Sequence, residues 1–261
     1  MNWRLACKAV SVTIALCGAL LRSTAFPAQE THSAHWSYEG KEGPEYWGQL
    51  DPSYEACSAG HAQSPIDIRY TKLAKLPPLV FEYSPVTLQI IDNGHTIQVN
   101  YAVGSALEVG YQTYRLNQFH FHHPSEERID GKDFDLVAHF VHEDGNGHIA
   151  VVAVLFTTGR ANAVLDTILR NIPTLKYATV DVPSVTLNAR DLLPSDLGYY
   201  TVQGSLTTPP CTEGVSWYIL KKQLTLSADQ LATFVRLYSN NARPVQPLHG
   251  RAVLESIARR P

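Results

Sequence analysis

Gln118-Phe119-His120-Phe121-His122-His123-Pro124-Ser125-Glu126-Glu127, followed by Phe134-Asp135-Leu136-Val137-Ala138-His139-Phe140-Val141-His142, reads as two neighbouring strands rich in histidine. Residues two apart on a strand point to one face, so His120 and His122 project together. Between them and His139 lie Pro124 and the turn-forming Ile129-Asp130-Gly131-Lys132, which can return the chain as a neighbouring antiparallel strand and let His139 complete a triad. Three neutral imidazoles leave one position of a tetrahedral zinc ion open to water, as in a catalytic site; a structural site is normally closed by four protein ligands. His-x-His alone is weak, because paired histidines on a strand are often surface residues or satisfied core polar groups.

Working outward, turn signals recur between short apolar or alternating runs such as Val86-Thr87-Leu88-Gln89-Ile90 and the stretch from Ile149 to Phe156. This predicts a strand-rich chain. No internal repeat or low-complexity linker divides the 261 residues, which favours one large domain over two small ones. Helices are few. The clearest starts at Ser227, an N-cap with Gln230 three positions on and Leu231, Phe234, Val235 and Leu237 at helical spacing; a shorter one is expected from Asn162 to Leu169.

Arg4 and Lys8, then an apolar run from Ala9 to Leu21 and the small residues Ser23-Thr24-Ala25, read as an export signal. The expected organisation is a leader at 1–25, a short tail at 26–34 and a domain at 35–261, placed in the periplasm or secreted. A retained anchor is the alternative, but the apolar run is short for a membrane span. Cleavage after Ala25 removes Arg4, Lys8 and Arg22, taking 21 basic residues to 18 against 24 acidic ones, near −6. A mildly acidic chain without a basic stripe gives no reason to expect nucleic acid as a partner. Cleavage also removes Cys7 and Cys17, and the remaining Cys57 and Cys211 are either an isolated pair that invites a disulfide or two buried thiols.

Gly204-Ser205-Leu206-Thr207-Thr208-Pro209-Pro210-Cys211-Thr212-Glu213, Gln63-Ser64-Pro65-Ile66-Asp67-Ile68, Asn93-Gly94-His95 and the histidine segments together resemble the α-class carbonic anhydrase family, of the exported bacterial type. The resemblance runs from His35-Trp36-Ser37-Tyr38 to Asn241-Ala242-Arg243-Pro244-Val245-Gln246-Pro247. It implies a mainly β (α+β) single domain with a central, mostly antiparallel, twisted sheet of ten strands and a few short peripheral helices. It also implies reversible hydration of carbon dioxide to bicarbonate and a proton, by hydroxide made available at a zinc ion held by His120, His122 and His139. Glu126 and Thr207 match the pair that aims the attacking oxygen, and Thr207 and Thr208 border the bound substrate. Val141, Val151, Leu206 and Trp217 match an apolar wall for carbon dioxide, and His95 matches a proton carrier. Tyr38 and Asn93 are expected to order water, and Gln118 to support His120. Cys57 and Cys211 resemble a bridging pair, and Ser64-Pro65 and Pro209-Pro210 are expected to be cis. Small anions and sulfonamides are expected inhibitors. Monomer and homodimer both stay open.

One part of the pattern departs. The family usually places Glu two residues before its third histidine, His or Asn after the Ser-Glu pair, and often Tyr two residues before the Gly-Ser segment; here those positions hold Val137, Glu127 and Val202. Partners that orient a metal-bound imidazole are worth about 10–100-fold in affinity or activity. A catalytically weakened zinc-binding or structural relative is therefore the rival reading. Glu127 is expected to supply the missing carboxylate to His139.

Overall fold

The unbroken apolar run beginning at Ile149 has its explanation in position: the strand it forms lies inside a sheet and is buried on both faces, so no polar face is needed. The computed structural model describes residues 34–257. The expected leader and all but the last residue of the expected tail fall outside them.

In chain order the strands are β1 (Asp67–Ile68), β2 (Thr71–Ala74), β3 (Leu79–Glu82), β4 (Val86–Asp92), β5 (Ile97–Asn100), β6 (Ala106–Val109), β7 (Gln112–His122) and β8 (Arg128–Ile129). They continue with β9 (Leu136–Glu143), β10 (Ile149–Thr158), β11 (Thr179–Leu187), β12 (Tyr199–Ser205), β13 (Glu213–Leu220), β14 (Leu224–Leu226) and β15 (Val253–Ser256). The α-helices are α1 (Trp47–Leu50), α2 (Ala56–Ala59), α3 (Ala163–Arg170) and α4 (Ala228–Leu237).

Ten strands form one hydrogen-bonded row, β11-β4-β5-β7-β9-β10-β13-β12-β15-β2, and β3, β6 and β14 join beside it to give a sheet of thirteen. The expected ten-stranded sheet is thus the spine of a larger one, and it is mixed. Within the row, β10–β13 and β15–β2 are parallel, and β14 also joins β10 parallel. The cause is connectivity: adjacent antiparallel strands need only a tight turn, whereas β13 reaches β10 after the chain has travelled through α3, β11 and β12.

The period of two along β7, β9 and β10 separates two cores. On one face Phe119, Phe121, Phe140, Val152, Val154 and Phe156 pack under α3 and α4. On the other Val137, Val151, Ala153 and Leu155 meet Trp217 and Ile219 of β13. Both expected helices are present, and α4 carries the capping box of Ser227 with Gln230. Gln230 also donates to Asn162 O at 2.7 Å and accepts from Asn162 N–H at 3.0 Å, so one side chain ties the start of α3 to that of α4.

His142 falls on the face away from the other histidines, wholly buried, with the Tyr83 hydroxyl 2.6 Å from its Nε2 and its Nδ1 3.2 Å from Ala150 O. Burial pushes its pKa down to about 4. A folded-state value below the unfolded value of ~6.5 means that its contribution to stability is complete above that pH and is lost as pH falls toward 4, a loss of ~3 kcal/mol at most. Denaturant titrations of His142→Gln should show a flatter fall in stability between pH 6.5 and 4 than the parent, by up to one proton. An unchanged slope would assign the acid sensitivity elsewhere.

Candidate metal centre

The register of β7 against β9 sets His120 opposite His139, while His122, two residues along β7, shares the face of His120. The three rings lie 4.8, 4.9 and 5.5 Å apart between centroids, and one ring nitrogen from each falls within 4.8 Å of the others. Each imidazole spends its hydrogen outward. His120 Nδ1–H donates to Gln118 Oε1 at 2.9 Å, His122 Nδ1–H to Asn241 O at 2.7 Å, and His139 Nε2–H to Glu127 Oε1 at 3.0 Å. The tautomers are set by these acceptors, leaving lone pairs on His120 Nε2, His122 Nε2 and His139 Nδ1. His122 Nε2 is buried with no hydrogen-bond partner among the described residues. An orphaned buried acceptor is costly, and a cation shared with two further imidazoles satisfies it. Burial, reinforced by His139, brings His120 down to about 3 and His122 well below its usual value. Burial lowers His139 too, but the charge and hydrogen bond of Glu127, with Glu126, outweigh it and hold that pKa above its usual value; His120 and His122 are the uncharged imidazole donors, of the kind that suits zinc.

Glu127 reaches His139 from the loop after β7, both residues only 1% exposed, while Val137 and Val202 lie in the apolar cluster with Trp217. Carboxylate and imidazole satisfy each other where water is absent. Glu126 is buried beside them: Oε1 accepts from Arg243 N–H at 2.8 Å, and Oε2 lies 3.8 Å from His139 Nδ1 without a well-formed hydrogen bond of its own. Burial pushes its carboxyl up to about 7; Glu127 pushes the same way, while His139, the Arg243 N–H and the Thr207 side chain pull it down.

Thr207 is buried on the loop after β12, and that loop is held from several sides. Trp217 Nε1–H donates to Ser205 O at 3.0 Å, Leu206 N–H to Thr212 O at 3.0 Å, and Cys211 N–H to Thr208 O at 2.8 Å. Gly204 permits the approach: a Cβ there would lie 2.1 Å from Ser64 Oγ. Ser64-Pro65 and Pro209-Pro210 are cis, as expected, and so is His123-Pro124. A disulfide joins Cys57 to Cys211, at the end of this loop.

Val141, Val151 and Trp217 stand side by side across β9, β10 and β13, with Val202 next in line on β12, and Leu206 packs against the same cluster. Trp217 meets the His139 ring edge-on at 4.9 Å. The apolar wall and the imidazoles thus share one face of the sheet. His95 sits in the turn between β4 and β5, its ring stacked on Trp36 at 3.7 Å. Asn93 Oδ1 accepts from His95 N–H at 3.0 Å and Thr96 N–H at 2.9 Å, so that oxygen is committed to the turn. The Tyr38 phenol lies in the fields of Glu126 and Arg243, with burial as the main cause of its raised pKa. Thr208 is half-buried on the Thr207 loop.

Two further residues, Asn241 and Arg243, hold the site together through long-range hydrogen bonds. Asn241 O accepts from His122, while its side-chain amide donates to His95 O at 2.9 Å and Phe121 O at 3.0 Å. The buried Arg243 donates to Gln63 Oε1, Ser64 O and Cys57 O at 2.7–2.9 Å, gathering the segments behind Glu126. The motif containing both was visible, but neither long-range partner was.

Residues 42–257 match the model of the eukaryotic-type carbonic anhydrase family. A carbonic anhydrase from Pectobacterium carotovorum is 46% identical over 90% of this chain and 97% of its own length. The α-carbonic anhydrase structure from Photobacterium profundum superposes with a TM-score of 0.80 at 46% identity, covering 85% of this chain and all of the other. That of Thermovibrio ammonificans, solved with the inhibitor sulfanilamide, gives 0.82 at 40% identity over 85% of this chain and 99% of that one. Fold, three-histidine centre and matched length converge, and the chain belongs to the α-carbonic anhydrase family, the enzymes of reversible carbon dioxide hydration.

Proposed function

We propose that this carbonic anhydrase works with one zinc ion per chain, held by His120, His122 and His139, after export to the periplasm or beyond. The observation that carries the metal assignment is the set of three converging, hydrogen-free ring nitrogens, one of them buried without a partner among the described residues. When bound, zinc supplies the Lewis acidity that lets water lose a proton near neutral pH, an effect for which carbonic anhydrase is itself the standard example.

The chain's own groups do the rest. The Thr207 side chain acts on the Glu126 carboxyl; with its hydroxyl donating to that carboxylate, Thr207 Oγ1 would be left to accept the hydrogen of the attacking oxygen and so orient it toward the substrate carbon. Carbon dioxide carries no net dipole, and the surface formed by Val141, Val151, Leu206 and Trp217 holds it without a charged clamp. Thr207 N–H and Thr208 border the substrate oxygens. Gln118 and Glu127 keep their imidazoles in the ligating tautomer. His95 carries the product proton outward, and Tyr38 and the amide hydrogens of Asn93 order the water that leads to it. Sulfonamides and small anions compete at the metal, in keeping with the sulfanilamide complex of the Thermovibrio protein. The Cys57–Cys211 disulfide accords with export.

Zinc content and stopped-flow carbon dioxide hydration, with a zinc-stripped and a reconstituted sample, test this reading; full activity in the stripped protein would end it. For the proton step, His95→Ala should lower kcat about tenfold or more in weak buffer with kcat/KM nearly unchanged, and imidazole-type buffers should restore much of the loss. An unchanged kcat in weak buffer would place proton export on another group.

A further inference from the structure

The turn that carries His95 joins β4 to β5 and is closed by its own hydrogen bonds, and contacts from other elements hold it in place. Asn93 Oδ1 binds the N–H groups of His95 and Thr96, and Asp92 Oδ1 accepts from Gly94 N–H at 3.0 Å. These bonds close the turn on itself, and would move with it. Its direction must come from outside contacts. Those contacts are the Asn241 bond to His95 O, the Thr96 hydroxyl bonded to Phe121 O, Trp36 stacked on the His95 ring and, on the side of α4, a hydrogen bond from the Tyr238 hydroxyl to Asp92 Oδ1.

Tyr238 is well placed to act as that anchor. It caps the C-terminus of α4, its own N–H donating to Phe234 O at 2.9 Å, and it is buried at 7% exposure. Asp92 is only 3% exposed, so this carboxylate depends on donors from the protein. The segment Lys176–Ala178 closes the remaining side. Ala178 O accepts from Asp92 N–H at 3.0 Å, and Tyr177 lies so close over Gly94 that a Cβ there would come within 2.2 Å of its ring. Gly94 at φ +85° supplies both the backbone and the space this needs.

We propose that Tyr238, acting through Asp92, is a positioning residue for His95: it fixes the turn to α4 so that the imidazole is presented at one distance and angle for proton transfer. This rests on the reading of His95 as the proton carrier. The role concerns the proton step alone, because neither Tyr238 nor Asp92 touches the three-histidine centre or the apolar wall.

The test is stopped-flow carbon dioxide hydration by the zinc-loaded protein, comparing Tyr238→Phe, Asp92→Ala, Asp92→Asn and His95→Ala in weak buffer and with added imidazole. Tyr238→Phe and Asp92→Ala should each lower kcat in weak buffer by about 3- to 10-fold, keep kcat/KM within about twofold, and recover with imidazole. Asp92→Asn keeps a carbonyl oxygen for the tyrosine and should stay close to the parent; the Asp92 pair decides the matter if Tyr238→Phe fails to fold. Native kcat in weak buffer for Tyr238→Phe or Asp92→Ala, with His95→Ala slow, overturns the proposal. Parallel falls in kcat and kcat/KM overturn it too, since they denote general structural damage. A native rate in His95→Ala instead removes the proton-carrier reading, and the proposal with it.

Discussion

Replacing His122 with Ala is expected to empty the centre of zinc and lower carbon dioxide hydration on the order of 10³-fold or more, equivalent to ~4 kcal/mol of barrier. The other two imidazoles remain, but two nitrogens cannot hold the ion against competition from water and chelators as three do. Metal analysis after gel filtration should fall from one zinc per chain to nearly none. The effect should be local, because Asn241 keeps its side-chain bonds to His95 O and Phe121 O when the bond from His122 to its carbonyl is lost. A His122→Ala protein that retained one zinc and the parent rate would reject the ligand assignment.

The second large effect is expected at Glu127, whose carboxylate stands 3.0 and 3.3 Å from His139 Nε2. Glu127→Ala should weaken zinc binding by about 10–100-fold, read as the zinc dissociation constant in a chelator competition. Glu127→Gln should lose less, since its amide oxygen still accepts from Nε2–H but carries no charge. A carboxylate returned to the family's usual place provides the sharper comparison: Val137→Glu in a Glu127→Val background should recover part of the affinity. The recovery should be incomplete, because Val137 is fully buried in an apolar cluster and overpacking there costs about 1–3 kcal/mol. Unchanged zinc affinity in both Glu127→Ala and Glu127→Gln would show that His139 needs no carboxylate here.

What the sequence discloses depends on how local the cause is. His120 and His122 were readable because strand period is a two-residue property, and the helix at Ser227 because a capping box spans three. The departure at Val137, Glu127 and Val202 was visible only against the family pattern; the direction in which Glu127 turns is a matter of the loop after β7. The parallel join of β10 to β13 left no local mark, since it is made after the chain has passed through another edge of the sheet. Asn241 and Arg243 were hidden for a related reason. Asn241 presents its main-chain carbonyl to His122, and Arg243, apart from its bond to Gln63 Oε1, works through main-chain carbonyls and its own N–H, with partners 117 to 186 residues away. No side-chain pattern announces a carbonyl.

The Cys57–Cys211 bond, 154 residues apart in sequence, closes the stretch between them into a covalent ring. His95, His120, His122, His139 and Thr207 all lie inside the ring. One proteolytic cut at an exposed loop such as Asp144–Gly147 would open the ring without releasing a fragment, so all of these side chains would stay on one molecule. A nicked sample should run as a single band without reductant and as two with it, and repair by refolding would remain a unimolecular event, independent of protein concentration.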